Sequence, residues 1–301
     1  MSELLQQIIN GISLGSIYAL IALGYTMIYG ILRFINFAHG DVFMVGAFIG
    51  YYLAPHVIPL FGGNLILAAP IVLIVSMAGC SLLGVTIEKL AYRPLRARPK
   101  LTVLITAIGV SLFLEFGGQL VFGPDPKLFP QLIPSGTVVN TSNLVINSNS
   151  IVVIVTAFAL MMLLRFIVYN TKIGTAMRAV SYNHYAASLM GINIDTVITF
   201  TFILGSSLAA AAAILYATVY PSINPLMGIF PGLKAFVAAV LGGIGNLAGA
   251  ALGGLIIGVT ETFVVGYISP TFRDAIAFSI LILILLFKPS GLLGRHESEK
   301  V

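Results

Sequence analysis

The stretch Ile151-Val-Val-Ile-Val-Thr-Ala-Phe-Ala-Leu-Met-Met-Leu-Leu-Arg-Phe-Ile-Val-Tyr169 contains one charged residue, Arg165, close to its end. A helix that crosses a bilayer needs about 20 predominantly apolar residues. A run this long and unbroken does not suit a barrel strand, which alternates with period two over about 10 residues. The rest of the chain carries the same signal. Of its 301 residues, 58% are hydrophobic and 8% charged, and the mean hydropathy is +1.05. A soluble domain carries about 25% charged residues, and 8% could not cover a water-facing surface. Lipid is therefore the solvent for much of the surface. There the backbone has to satisfy its own hydrogen bonds within helices. The sequence reads as an all-α, polytopic transmembrane helix bundle.

Residues 5–31, 34–53, 65–90, 101–122, 151–169, 197–219, 226–241, 247–267 and 272–287 are the candidate spans. Segment 226–241 is short, so eight full spans with a partial one compete with nine. Tyr92 to Lys100 contains Arg93, Arg96, Arg98 and Lys100, the strongest cytoplasmic signal by the positive-inside rule. Counting outward from it, residues 170–195 and the C-terminal tail also fall inside, and the N-terminus outside. Arg33, Lys89, Arg165, Lys172, Arg178, Lys288, Arg295 and Lys300 join that side; Lys127, Lys234 and Arg273 fall on the other. This asymmetry favours nine crossings. No linker separates two domains, and residues 1–301 read as one, with an outer loop at 123–150 and a cytoplasmic loop at 170–195. Alternation over residues 137–146 predicts a short hairpin. Residues 1–10 carry no Lys or Arg, so no cleaved signal peptide is expected.

Polar residues inside apolar runs are functional candidates, because lipid makes them costly. The first group is Arg33-Phe-Ile-Asn36-Phe-Ala-His39-Gly-Asp41, which interrupts some fifty apolar residues. It fits a turn at the membrane surface whose Asn and Asp cap the next helix. It fits equally a helix break inside the membrane, whose polar backbone lines a pathway. The second is Glu115 and Gln119, one helical turn apart and on one face with Ser111. That face has to turn inward, toward a cavity or a neighbouring helix. Glu261 is a third buried carboxylate, with Thr260 and Thr262 beside it for local hydrogen bonds.

Residues 175–191 form an amphipathic segment, read as one short helix broken near Gly191. Tyr182, Tyr185, Leu189 and Met190 give it an apolar face, and Arg178, Asn183 and His184 a polar one. Such a helix either lies among headgroups or docks in a partner's groove. Gly245, Gly249 and Gly253 repeat at four-residue spacing, followed by Gly254 and Gly258, the small-residue pattern that lets helices approach closely in lipid. The single cysteine, Cys80, cannot form a disulfide within the chain and reads as a small buried hydrophobe. His39 has no second ligand at metal-binding spacing. There is no phosphate-binding loop or nucleophile motif, and the confinement of the positive charge to short loops does not point to nucleic acid.

Asn36-Phe-Ala-His39-Gly-Asp41, followed by Met44-Val-Gly46-Ala47, resembles the signature of LivH-type permeases, the membrane subunits of ABC importers for branched-chain amino acids. Asn170-Thr-Lys-x-Gly174-x-Ala-x-Arg178-Ala179 and then Ala186-Ala187-x-x-x-Gly191 resemble that family's cytoplasmic loop. It is a version of the Glu-Ala-Ala-x-x-x-Gly motif that permeases present to their ATPases, with Tyr185 in the place of the Glu. Val240-Leu-Gly-Gly-x-Gly245-Asn246 is also similar. The resemblance implies a permease of the larger, type II-like architecture in a bacterial or archaeal cytoplasmic membrane, with no cofactor and no catalytic residue of its own. It also implies partners: a second permease subunit, making a heterodimer, two cytoplasmic ATPases and an extracytoplasmic binding protein. On this reading Asn36, His39, Asp41, Glu115 and Gln119 lie nearest the pathway. Arg178, Tyr185, Ala186, Ala187 and Gly191 belong to the coupling element. A same-fold permease for urea, short amides or other amino acids is the nearer alternative. An ion-coupled secondary transporter using Glu115 or Glu261 is the more distant one.

Overall fold

The structure, a computed structural model, describes residues 2–294 except 97, 135, 142 and 143. Arg295 and Lys300, counted above in the charge asymmetry, lie outside the described residues. The helices are α1 Ser2–Leu32, α2 His39–Leu60, α3 Leu65–Ile87, α4 Lys100–Phe122, α5 Ser148–Asn170, α6 Lys172–Tyr182, α7 His184–Leu189, α8 Ile194–Val219, α9 Ile229–Gly242, α10 Leu247–Tyr267 and α11 Arg273–Phe287. Among the described residues, eight helices are long and apolar enough to cross a membrane. The ninth candidate becomes α9, whose 14 residues reach about 21 Å at 1.5 Å per residue, short of the roughly 30 Å hydrocarbon core.

Small residues decide which helices are central. Ala209 to Ala213 of α8 are fully buried, as are Ala19 and Ala22 of α1. These two helices form the middle of the bundle, where side chains without bulk let neighbouring backbones close in. At the other extreme, α4, α5 and α11 expose Phe113, Phe116, Leu120, Phe158, Leu286 and Phe287, the large apolar side chains expected of a lipid- or partner-facing surface. Gly11 and Gly15 of α1 lie against Val259 and Leu255 of α10, while Gly30 faces Gly245, so α1 and α10 run antiparallel.

The glycine repeat divides into two roles. A methyl on Gly249 would fall 2.2 Å from the Gly242 carbonyl oxygen, and one on Gly253 2.0 Å from that of Ala238; both glycines bring α10 onto α9. Gly245 does not take part in that helix packing. It precedes α10, which Asn246 caps by accepting from the Gly249 N–H at 3.1 Å, and it occupies the left-handed region at φ 93°.

The predicted hairpin is present as β2 Thr137–Thr141 paired antiparallel with β3 Leu144–Asn147. A second antiparallel pair joins β1 Lys127–Leu128, after α4, to β4 Ser222–Ile223, before α9. At the opposite end, Leu292 and Leu293 N–H donate to the Leu241 and Gly242 carbonyls at 2.8 and 3.0 Å. Ser181 of α6 donates to the Gly30 carbonyl at 2.6 Å. Residues 170–195 and the segment after α11 thus lie at the same end of the bundle, against the ends of α1 and α9.

Candidate functional site

The segment expected to start a span at residue 34 does not do so. The helix α1 ends at Leu32, Arg33 turns the chain at φ 55°, and α2 starts only at His39. The intervening residues do not form a loop in water. Asn36 is 3% exposed and His39 fully buried, and a methyl on Gly24 would fall 2.4 Å from His39 Nε2. Gly24 lies eight residues before the end of α1, about 12 Å up the helix. The chain therefore re-enters the bundle, and α2 begins within it. Of the two readings left open by residues 36–41, the structure takes the break inside the bundle.

Three contacts hold this break. Tyr92, at the end of a π-helical turn over Glu88–Tyr92, donates its hydroxyl to Asn36 Oδ1 at 2.6 Å. The His39 ring packs edge-on against Tyr25 at 4.7 Å, and neither of its ring nitrogens has a hydrogen-bond partner among the described residues. Gly40 meets the start of α9: a methyl there would fall 2.7 Å from the Gly228 carbonyl oxygen. Two helix N-termini, α2 and α9, thus meet inside the bundle, each without a side-chain cap. Interrupted helices that meet this way are how membrane transporters expose backbone polar groups to a pathway.

Asp41 is 2% exposed and faces α4. Its carboxylate accepts from the Ser111 hydroxyl and has Glu115 beside it, a pair of carboxyls that repel unless a proton or a cation sits with them. Glu115 is only half-buried, so the pair opens toward the outer flank of α4. Gln119, one turn further on, is also half-buried, and its side chain makes no hydrogen bond among the described residues. The structure therefore joins Asp41, Ser111 and Glu115, places Asn36 and His39 on the other side of α2 toward α1 and α3, and leaves Gln119 apart.

The Glu261 side chain does not bond to its threonine neighbours. It accepts from Tyr18 at 3.0 Å, from Lys234 of α9 at 3.1 Å and from Arg273 of α11; Lys234 also reaches Asp274 at 2.7 Å. Thr262 bonds instead to the Gly258 carbonyl. A lysine within the apolar run 226–241 was the signal for this network, since a buried charge in a span requires a partner.

The amphipathic segment is two helices rather than one. Asn183 is extended at φ −156° and caps α7, accepting from the Ala186 N–H at 3.0 Å. Beyond α7, Gly191 takes φ 80° and closes the helix through the Ile192 N–H to the Ala187 carbonyl at 3.1 Å. The apolar side chains of Tyr182, Tyr185, Leu189 and Met190 are 89, 73, 70 and 82% exposed. Ala186 is exposed too, but Ala187 is buried at 4% against this chain and is not free to meet a partner. Arg178 stacks on Tyr169 at 5.3 Å. The polar side is tied to α1: besides the Ser181 bond, His184 Nε2 lies 2.8 Å from the Ile31 carbonyl oxygen. These are last-turn carbonyls that a helix cannot satisfy itself.

Next to this joint, Asp195 at the start of α8 pairs with Arg93 and Arg96, and Arg96 pairs in turn with Glu88. Thr199 donates to the same glutamate at 3.0 Å. Burial draws the Arg96 guanidinium below its ordinary value while Asp195 opposes the shift. The network clamps the end of α3 to the start of α8.

A multi-pass membrane protein with two interrupted helices meeting in its interior and an apolar helix pair presented at one end has the architecture of a transport permease. The sequence comparisons give the family. The profile described as branched-chain amino acid transport system / permease component matches residues 7–285, and the chain belongs to that family. It is 42% identical over 304 residues to the high-affinity branched-chain amino acid transport system permease protein BraD of Pseudomonas aeruginosa, covering 99% of this chain and 98% of the relative. It is 44% identical over 303 residues to the corresponding protein LivH of Escherichia coli K12, covering 99% and 97%. A probable branched-chain amino acid transport permease protein LivH of Methanocaldococcus jannaschii is 28% identical over 292 residues, 93% and 89% of the two chains.

Proposed function

We propose that this chain is a permease subunit of an ATP-driven importer in a bacterial or archaeal cytoplasmic membrane. It translocates aliphatic, branched-chain amino acids handed over by an extracytoplasmic binding protein. A second permease subunit completes the pathway, and two cytoplasmic ATPases drive it. The observation that carries this reading is similarity above 40% across nearly the whole length to permeases named for that transport. The chain reads as a single permease domain, 1–301, with residues 123–150 outside and 170–195 inside. The exposed apolar side of α6 and α7, with Tyr185 and Ala186 at its centre, seats in an ATPase groove, as an amphipathic helix does. Arg178 and Gly191 support that element, and Ala187 holds it to its own bundle. Asn36, His39, Asp41, Glu115 and Gln119 are the polar groups nearest the pathway.

The test is reconstitution. Liposomes holding this chain, a sister permease, both ATPases and the binding protein should accumulate radiolabelled leucine when ATP is enclosed. Liposomes with this chain alone should not. Accumulation by the chain alone, driven by a sodium or proton gradient, would sink the ATP-driven reading. ATP-dependent accumulation of urea or a short amide in place of leucine would change the solute and leave the mechanism intact.

A further inference from the structure

The inner end of α9 is completed by a segment from beyond α11. A helix cannot satisfy its own last carbonyls. Those of Leu241 and Gly242 accept instead from the Leu292 and Leu293 N–H at 2.8 and 3.0 Å. Asn246 closes this clasp: its Nδ2 donates to the Leu293 carbonyl at 2.8 Å, while its Oδ1 caps α10. The two backbones touch. A methyl on Gly291 would fall 2.4 Å from the Gly243 nitrogen, and one on Gly243 2.4 Å from the Gly294 nitrogen. Further along α9, Lys234 is held between Glu261 and Asp274. Gly242 lies eight residues beyond Lys234 and Gly228 six before it, about 12 and 9 Å along the axis. Gly228 is where α9 meets Gly40 at the start of α2.

We propose that residues 290–294, with Asn246, are a positioning clasp: they fix the inner end of α9, and thereby the meeting of Gly228 with Gly40 inside the bundle. A short helix held at Lys234 alone is free to turn about that point. A displacement at Gly242 then returns at Gly228 in the opposite sense and at about three quarters of the size, from the two arm lengths. The clasp removes that freedom. Its bonds are made by main-chain groups and Asn246, and the Leu292 and Leu293 side chains stay 39 and 44% exposed. What it requires is therefore the presence of the segment and its glycines. The consequence for transport rests on the function proposed above; the consequence for α9 does not.

Hydrogen exchange of the purified full chain, read by mass spectrometry, follows α9 directly. Asn246→Asp keeps the α10 cap, since Asp caps as well as Asn, but loses the donor to Leu293. Amides 240–243, and amides 39–42 at the start of α2, should exchange about fivefold faster, the worth of one neutral hydrogen bond. A chain ending at Pro289 loses all three bonds of the clasp and should exchange faster still. A chain ending at Gly294 keeps them and should match the wild type. Amides 209–213, in the buried alanines of α8, should stay unchanged throughout. If the chain ending at Pro289 does not insert, Asn246→Asp decides alone. Wild-type exchange at 39–42 in Asn246→Asp would overturn the proposal. So would an equal rise in α8, which would make the clasp a contribution to general stability. In the reconstituted transporter, Asn246→Asp should lower leucine uptake per ATP several-fold, and wild-type uptake per ATP beside altered exchange would also overturn it. If no form, wild type included, shows ATP-driven uptake, the proposed function fails and the exchange result still decides the clasp.

Discussion

Gly40 and Gly228 touch through their backbones at the meeting of α2 and α9, and neither has room for a side chain. Gly40→Ala should therefore force two helix starts apart, an overpacking cost of about 1–3 kcal/mol. Transport is expected to fall much further than the amount of inserted protein, both measured in the same membranes. Gly109→Ala is the control: it lies on α4 with nothing within 4 Å and should leave uptake unchanged, since alanine only improves a helix interior. Gly191 differs in kind. No atom crowds it, but its φ of 80° costs a side-chain-bearing residue about 1–2 kcal/mol. Gly191→Ala should lower the melting temperature and loosen the α7 exit, and Gly191→Asn should do less of both, as read by differential scanning fluorimetry. The two glycines also differ in how legible they are. Gly191 follows an amphipathic helix, so its turn can be read locally. Gly40 is required by a residue far away in the chain, and no local pattern announces that.

At the scale of elements, the long uniform spans were legible because hydropathy alone defines them. The start of α2 was not, because Phe34, Ile35, Phe37 and Ala38 continue the apolar run through a segment that is not helical. The split of α6 from α7 was missed because Asn183 acts as a cap, and capping competes with helix continuation inside one amphipathic pattern. The helix α9 is too short to be held by lipid matching, and Lys234 explains what holds it. The lysine is 3% exposed and lies between Glu261 and Asp274. Removing one member of a buried ion pair costs about 3–5 kcal/mol, because it strands the other. Glu261→Gln takes the carboxylate from Arg273 and one of two from Lys234, which keeps Asp274, and should destabilise more than Lys234→Met, which leaves Glu261 its arginine. The double variant should cost less than the sum of the two. Thermal unfolding of the four proteins in one detergent tests this; strict additivity would show that the contact carries no coupling energy.

At the scale of the whole molecule, the function proposed above raises the question of how a motion of partner ATPases would reach a break inside the bundle. The apolar side of α6 and α7 faces outward, and their polar side bonds to the carbonyls of Gly30 and Ile31 through Ser181 and His184. Those carbonyls belong to the last turn of α1, directly before Arg33 and the re-entrant residues that end at His39. On the proposed function, a displacement of the helix pair would be delivered through these two hydrogen bonds to the turn that precedes α2. A second route runs through Asp195 and Arg96 to Glu88 at the end of α3, where Tyr92 holds Asn36. The two routes converge on the same six-residue break, one from α1 and one from α3. Ser181→Ala with His184→Ala removes the first route at small cost to folding, since both residues sit at the rim and each neutral bond contributes about 1 kcal/mol. The reconstituted transporter carrying this pair should assemble and hydrolyse ATP near the normal rate while leucine uptake per ATP falls several-fold. Restoring Ser181 alone should recover part of it. If uptake per ATP stays at the wild-type value, the bonds to α1 do not transmit the stroke, and the Asp195 route alone has to carry it. Equal loss of hydrolysis and uptake would mean that the helix pair no longer seats at all.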